Sequence, residues 1–199
     1  LTSLITGIPN SNVYGTIYPS KTLPNTDTTR TGIYYSDRIN FDEFNILSYG
    51  IRYDSYKLDP NDDALSSANR AVGYPLAEID ENELSFKFGW LSAVTEEINA
   101  FFQYAEGFKA PDYDSANLSF NNLAYGYGIV PNADLSPETS KGTEVGFRGD
   151  NGVRSWSITR FENQYEDFIE SAVAGFDFIN QIVLFQSQNL DDVDTSGLE

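Results

Sequence analysis

The sequence predicts an all-β protein of antiparallel strands, and three observations predict it. Apolar side chains recur at every second position, not with a helical period. The alternating runs extend to about a dozen residues, against a usual strand of ~5–6. Short turns and long irregular connections then follow one another along the chain. Strand length and the unequal connections favour a segment of a transmembrane β-barrel, with short periplasmic turns and long extracellular loops. A secreted β-sandwich that binds glycans or a partner through exposed Tyr and Trp is the competing architecture, because alternating strands serve it equally well.

The elements follow in order. Residues 32–39 form a strand that turns at Asn40-Phe41-Asp42-Glu43 into a longer one over residues 44–57. There Leu47, Tyr49, Ile51 and Tyr53 share a face and Ser48, Gly50, Arg52 and Asp54 share the other. Leu84, Phe86, Phe88 and Trp90 alternate with Ser85, Lys87 and Gly89, and Ile98, Ala100, Phe102 and Tyr104 alternate with Asn99, Phe101 and Gln103. Thr95-Glu96-Glu97 between these runs reads as a tight hairpin turn. Thr143, Val145 and Phe147 begin the next hairpin, which Gly149-Asp150-Asn151-Gly152 closes with the positive φ of a primed turn. The run 153–170 has mixed parity, with Trp156 and Ile158 on one face and Phe161, Tyr165 and Ile169 on the other, so a bulge is expected within it. Residues 181–189 form a further strand. The stretches 1–30, 59–82, 108–140 and 171–180 are rich in Pro, Asn, Asp, Gly and Ser and read as long connections.

Composition narrows the function. The 199 residues carry 30 Asp and Glu against 12 Lys and Arg, a net charge of −18, with no Cys, His or Met. The charge excludes general nucleic-acid binding, which needs a basic face. Without Cys or His there is no ordinary structural zinc site, disulfide, thiol nucleophile or Ser-His-Asp triad. Aromatic residues make up 15% of the chain, led by 13 Tyr and 14 Phe, which is far too apolar for a solvated tail. No apolar run is long enough for a membrane-spanning helix. The start, Leu1-Thr2-Ser3-Leu4, has no basic leader, and the chain reads as a piece of a longer product. Asp62-Asp63, Glu96-Glu97 and Asp191-Asp192 are the carboxylate pairs that an acid–base or calcium site would use, but none has an EF-hand spacing and a solvated turn explains each. No enzyme is expected.

One segment adds a family resemblance. Phe108-Lys109-Ala110-Pro111 is followed by Pro131-Asn132-Ala133-Asp134-Leu135-Ser136-Pro137-Glu138 and then by Glu144-Val145-Gly146-Phe147-Arg148. This resembles the barrel of TonB-dependent outer-membrane receptors, in the branch that takes up haem or takes iron from haemoglobin. There a Phe-Arg-Ala-Pro box precedes an Asn-Pro-(Asn/Asp)-Leu-x-Pro-Glu box, and Lys109 replaces the Arg. Ser36-Asp37-Arg38-Ile39, residues 49–56, Tyr165-Glu166-Asp167-Phe168-Ile169 and the spacing from Gln188-Asn189 to Gly197-Leu198-Glu199 match further family strands, so the resemblance runs over residues 23–199. It implies about seven or eight strands of a 22-stranded barrel. Residues 1–199 are then expected to be an internal barrel segment that lacks the plug domain and the closing strands.

The resemblance implies a function. Such a receptor sits in the outer membrane of a Gram-negative cell, against lipid, and captures haem, a haem protein or a ferric siderophore. The TonB complex, acting through the plug, energises uptake. Haem or a ferric complex is expected only as transported ligand, with no resident cofactor and no metal site. The candidate ligand-facing residues are Phe108, Lys109, Tyr113, Tyr125, Tyr127 and Asn132. Pro111 ends a strand because it has no N–H to donate, Gly107 allows a bend, and Lys109 places a cation where it can meet a substrate carboxylate or Glu138. These boxes serve equally to fix the passage from wall to loop. The branch's haem-binding His between the boxes is missing, which leaves Tyr113, Tyr125 and Tyr127 as the side chains there able to ligate iron, or else to pack the loop.

Overall fold

A computed structural model describes residues 12–13, 16–17, 19–68, 70–190 and 192–199. Seven long strands form one antiparallel sheet: β3 (Asn25–Asn40), β4 (Asn45–Asn61), β5 (Ile79–Ala93), β6 (Ile98–Lys109), β9 (Glu138–Asp150), β10 (Ser155–Glu166) and β13 (Val193–Leu198). Their spatial order is their chain order. The remaining elements lie in the connections: a short pair β1 (Asn12–Val13) and β2 (Thr16–Ile17), α1 (Ala64–Ser67), α2 (Tyr113–Asn117), β7 (Phe120–Asn122), β8 (Tyr127–Ile129), β11 (Ile169–Asp177) and β12 (Ile182–Asn189). Strands of 16, 17 and 15 residues in β3, β4 and β5 exceed the roughly 9–11 that cross a bilayer, so the wall extends beyond the hydrocarbon.

The register sorts the side chains. One row reads Ile39, Leu47, Trp90, Phe102 and Val145 across β3, β4, β5, β6 and β9. A neighbouring row carries Ala100, Phe147 and Ile158. The opposite face holds rows such as Ser36, Gly50, Lys87, Ala105, Gly142 and Asn163. Among the described residues no second layer covers the apolar face: Phe86, Trp90, Phe147 and Trp156 are 46%, 42%, 47% and 49% exposed. Rings meet along the sheet, as Phe88 and Phe102 do at 6.0 Å. A β-sandwich buries that face against a second sheet, so the competing architecture fails. The seven strands agree with the barrel expectation. Cross-strand rings also use the glycines: Trp156 lies over Gly149 and Phe161 over Gly197, each opposite its partner in the register, where a Cβ would strike the ring.

The connections alternate as expected, and four expectations are corrected. Residues 171–180 are not a loop. They belong to β11 and the turn that follows, and the parity signal was lost because the register shifts between Val173 and Gly175. The bulge expected in 153–170 is absent: β10 pairs with β9 without a break from Ser155↔Asp150 to Glu166↔Thr139. The parity changes because Trp156 and Ile158 face outward whereas Phe161 and Tyr165 lie on the other face, and the strand ends at Asp167, whose φ is +57°. The turn after β9 departs from the Asn-Gly expectation, since Gly152 has positive φ, at +78°, and Asn151 does not, which excludes a type I′ turn. Asn151 Oδ1 instead accepts from the Val153 and Arg154 N–H groups. β3 also starts at Asn25, seven residues earlier than the alternation indicated, because both faces of Thr26-Asp27-Thr28-Thr29 are polar. The expectations for Leu1-Thr2-Ser3-Leu4 and Asp191 lie outside the described residues.

Phe88→Arg in the full-length protein is expected to destabilise the wall by about 2–4 kcal/mol. Ser157→Arg on the opposite face is expected to change stability by about 0.5 kcal/mol or less. Denaturant titration in lipid vesicles checks both, and equal losses would mean that the two faces are assigned wrongly.

Candidate functional site

Antiparallel order sends the three long connections to one rim: residues 62–78, 110–137 and 167–192. There the chain folds as a soluble protein does. The buried apolar clusters among the described residues lie in this region, not in the wall. Leu58, Ala77, Ile79, Ala116 and Leu135 form one, with Tyr56 and Ile169 packed on it. Val130, Ile182 and Leu184 form the other, beneath Ala71, Tyr74, Leu123 and Ala174. Each cluster draws on all three connections or the strand ends beside them. A second sheet, in the order β11-β12-β8-β7, carries the outer cluster.

Amide side chains stitch the loops together. Asn117, fully buried, accepts from the Ala77 N–H at 2.7 Å and donates to the Ala77 carbonyl at 3.0 Å. Asn132 donates to the Ser187 carbonyl at 2.7 Å and accepts from the Asp134 N–H at 3.0 Å. Gln186 donates to the carbonyl of buried Pro131 at 2.5 Å. Asn189 accepts from the Ser136 N–H at 2.8 Å and donates to the carbonyls of Ser136 and Asp167 at 2.9 and 2.6 Å. β6 meets β5 only from Lys87↔Ala105 to Ala93↔Asn99. Above that rung the two strands part, and Glu106 accepts from the Phe86 N–H at 2.9 Å. Gly107 lies just past this divergence and gives room to the Ser140 hydroxyl opposite it.

The two sequence boxes meet at the last rung of β6 and β9. Lys109 pairs with Glu138 in the register, and their side chains form an ion pair at 3.0 Å. Glu138, whose side chain is 13% exposed, also accepts from the Ile169 N–H at 2.9 Å. One carboxylate thus holds the roots of two loops. Pro111 is buried directly after β6. Phe108 is half-buried opposite Thr139. Tyr127 packs edge-on between Phe120 at 5.9 Å and Phe185 at 6.4 Å. Tyr113 opens α2 and Tyr125 stands in the β7–β8 turn, 50% and 81% exposed. The structure therefore brings Phe108, Lys109 and Asn132 to the roots of the loops and leaves Tyr113 and Tyr125 toward solvent. Among the described residues no ring contact joins Tyr113, Tyr125 and Tyr127.

The carboxylate pairs have partners of their own. Asp63 caps α1, accepting from the Leu65 and Ser66 N–H groups, and pairs with Lys21 at 2.5 Å. The Lys21 ammonium, and after it those N–H groups, hold the Asp63 carboxyl down at about 2 against its usual 3.8. Asp62 is lowered by Arg70, 2.5 Å away, and by the Ser66 hydroxyl. Glu96 and Glu97 are exposed in the short turn between β5 and β6. Among the described residues no group of three or more carboxylates is placed to hold a metal ion.

The wall, the rim and the boxes agree with the comparisons. The family model for the TonB dependent receptor-like β-barrel matches residues 3–199. The chain belongs to the TonB-dependent receptor family. Hemoglobin and hemoglobin-haptoglobin-binding protein B of Haemophilus influenzae is 30% identical over 129 residues, covering 62% of this chain and 12% of that protein. Hemoglobin-haptoglobin utilization protein B of Neisseria meningitidis serogroup C is 27% identical over 133 residues, covering 65% of this chain and 16% of that protein. The chain therefore spans only a small part of these curated relatives. In fold it is similar to the Serratia marcescens hemophore receptor HasR, solved with its hemophore HasA and heme: TM-score 0.71, 17% identity, 89% of this chain and 32% of that one. The FrpB iron transporter of Neisseria meningitidis gives a TM-score of 0.61 at 18% identity, over 91% of this chain and 24% of that one.

Sequence reasoning missed Asn117 and Gln186, and named Asn189 only within a family-strand match. An Asn or Gln in a polar stretch has no spacing that marks it, and only the fold reveals that Asn117 is buried. Asn117→Ala leaves the Ala77 N–H and carbonyl buried without partners and is expected to weaken the loop assembly by about 2–4 kcal/mol. Hydrogen exchange at the Ala77 amide checks this, and unchanged protection contradicts it. The depressed Asp63 carboxyl stabilises the fold fully above about pH 4, and this contribution is lost as pH falls through about 2. The Leu65 and Ser66 amides are thus expected to lose protection over that window, and Asp63→Asn removes the transition.

Proposed function

We propose that the chain forms wall and outer loops of a Gram-negative outer-membrane receptor that imports an iron-bearing ligand. The ligand is haem, a haem protein or a ferric siderophore, and the TonB complex supplies the energy through a plug domain. The observation that carries this reading is the interlocked loop assembly seated on a wall with one bare apolar face and one polar face. A bare apolar face suits lipid, and a polar face suits a lumen. The names of the relatives, which bind hemoglobin and hemoglobin-haptoglobin, favour a haem protein as cargo.

The candidate residues divide by role. Lys109 already neutralises Glu138, and Asn132 is committed to Ser187 and Asp134, so both act by holding the loop 110–137 in place. Phe108 supports the same root. With no His in the chain, iron contact from this loop falls to a tyrosine. Tyr113 and Tyr125 are the exposed ones, and Tyr127 is enclosed by Phe120 and Phe185. The reading involves no catalysis.

The test uses the full-length receptor in a Gram-negative host that cannot make haem. Growth on haemin or haemoglobin is expected, and loss of TonB abolishes it. Growth that persists without TonB overturns the reading. In the purified receptor the double variant Tyr113→Phe/Tyr125→Phe is expected to lower haemin affinity about tenfold or more and to remove any tyrosinate band from the haem spectrum. An unchanged spectrum and affinity would exclude these two side chains as ligands.

A further inference from the structure

The tip of the β11–β12 hairpin lies outside both buried clusters of the loop assembly, yet it carries adjacent large apolar side chains in the open. Phe178 and Ile179 are 85% and 92% exposed, and Phe176 beside them is 45% exposed. A hairpin turn in water is ordinarily polar, and adjacent bare large apolar side chains mark a contact site. The tip is also rigid. Asp177 Oδ1 accepts from the Ile179 and Asn180 N–H groups at 2.8 and 3.1 Å, and Asp177 Oδ2 accepts from the Asn180 amide at 2.7 Å. The rings of Phe176 and Phe178 meet edge-on at 5.2 Å. Gln181 holds a φ of +54°, an uncommon conformation for a residue other than glycine. Directly after the tip, Ile182 and Leu184 are buried in the outer cluster. The hairpin starts at Ile169, which packs on the inner cluster at the wall, so its turn lies roughly 25 Å further along the strand.

We propose that this tip anchors the receptor to the protein part of its cargo, with Phe178 and Ile179 entering an apolar pocket on a folded protein that is basic around that pocket. The proposal rests on the reading above that the cargo is a haem protein. The shape selects the partner. A small chelate needs a concave site that encloses it. The tip is a projecting knob, the form that fills a pocket on another protein as a buried hot spot. Charge selects the same partner. The connections 62–78, 110–137 and 167–192 carry eleven Asp and Glu against a single Arg. That field attracts a basic protein surface and repels the phosphates of a lipid headgroup layer.

The probes are haemoglobin and free haemin, each titrated against the full-length receptor in detergent. The variant is Phe178→Ser/Ile179→Ser, both exposed, with protection of the Ile182 and Leu184 amides as the check that the hairpin still folds. Haemoglobin affinity is expected to fall at least about thirtyfold in the variant, through faster dissociation. Haemin affinity stays as in the parent, and parental haemoglobin binding weakens as salt is raised. Unchanged haemoglobin affinity with intact protection overturns the proposal and leaves the proposed function standing. Equal loss of haemin binding overturns it as well, because the tip then belongs to the small-ligand site. So does a variant that loses only its attachment to lipopolysaccharide vesicles or only its self-association, since lipid or a second copy is then the occupant. Failure of the parent to bind either probe overturns the haem reading itself.

Discussion

Backbone amides that cross hydrocarbon have no water to bond, and the rest of this structure depends on that constraint. Each unpaired group in lipid costs several kcal/mol, so strands β4, β6 and β9 of the wall each keep a hydrogen-bonded neighbour on both sides over the span that carries the apolar band, and β5 does so from Lys87 to Ala93. The pairing allows only a period of two, and the period sends one set of side chains outward. Those outward positions are mainly apolar, as in the row Ile39, Leu47, Trp90, Phe102 and Val145, although Asp37 and Arg160 share the face. The inward positions are free of that demand and mix Ser, Gly, Lys, Gln and Asn with rings such as Phe101 and Phe161. The wall therefore has no core of its own, and its apolar surface is matched by lipid, not by protein.

The constraint lapses at the rim, and the chain changes character there. β5 and β6 part above Ala105, and a single carboxylate, Glu106, covers the N–H of Phe86 that the divergence exposes. Beyond that level the loops bury Leu58, Ile79, Leu135, Val130 and Ile182 against one another, as a small soluble domain would. Glu138 stands at the boundary. Through Lys109 it closes the last rung of the wall, and through the Ile169 N–H it starts the second sheet. Its substitution would loosen two loops at once, which explains why the sequence boxes fall where they do better than ligand contact explains it.

The sequence was legible in proportion to how strictly the bilayer writes it. Leu84-Ser85-Phe86-Lys87-Phe88-Gly89-Trp90 leaves no doubt about face or conformation, and β5 extends it at both ends. Thr26-Asp27-Thr28-Thr29 forms the same kind of strand, but above the hydrocarbon both of its faces meet water and the alternation vanishes. Residues 171–180 hid for another reason: Ala172, Ala174 and Gly175 carry little hydropathy, and the register shift after Val173 moves Phe176 to the wrong parity. At the rim, Lys109 was legible as the partner of a substrate carboxylate or of Glu138, and it forms the ion pair with Glu138. The Asn117–Ala77 clip had no signature at all, since its meaning lies in burial, and burial in a loop is decided by residues far apart in the chain.

The division between roots and tips bears on how such a surface can work. The roots are held by amide side chains, the Lys109–Glu138 ion pair and two apolar clusters. Each polar contact contributes about 1 kcal/mol net, and each would cost more to leave unpaired. A ligand that had to rearrange them would lose most of its binding energy in doing so. The tips carry no such penalty: Tyr113, Tyr125, Phe178 and Ile179 project from backbone that is already ordered, so contact with them costs little beyond side-chain entropy. Pre-assembled loops thus favour capture by the projecting groups, with affinity kept in the surface and not spent on folding it.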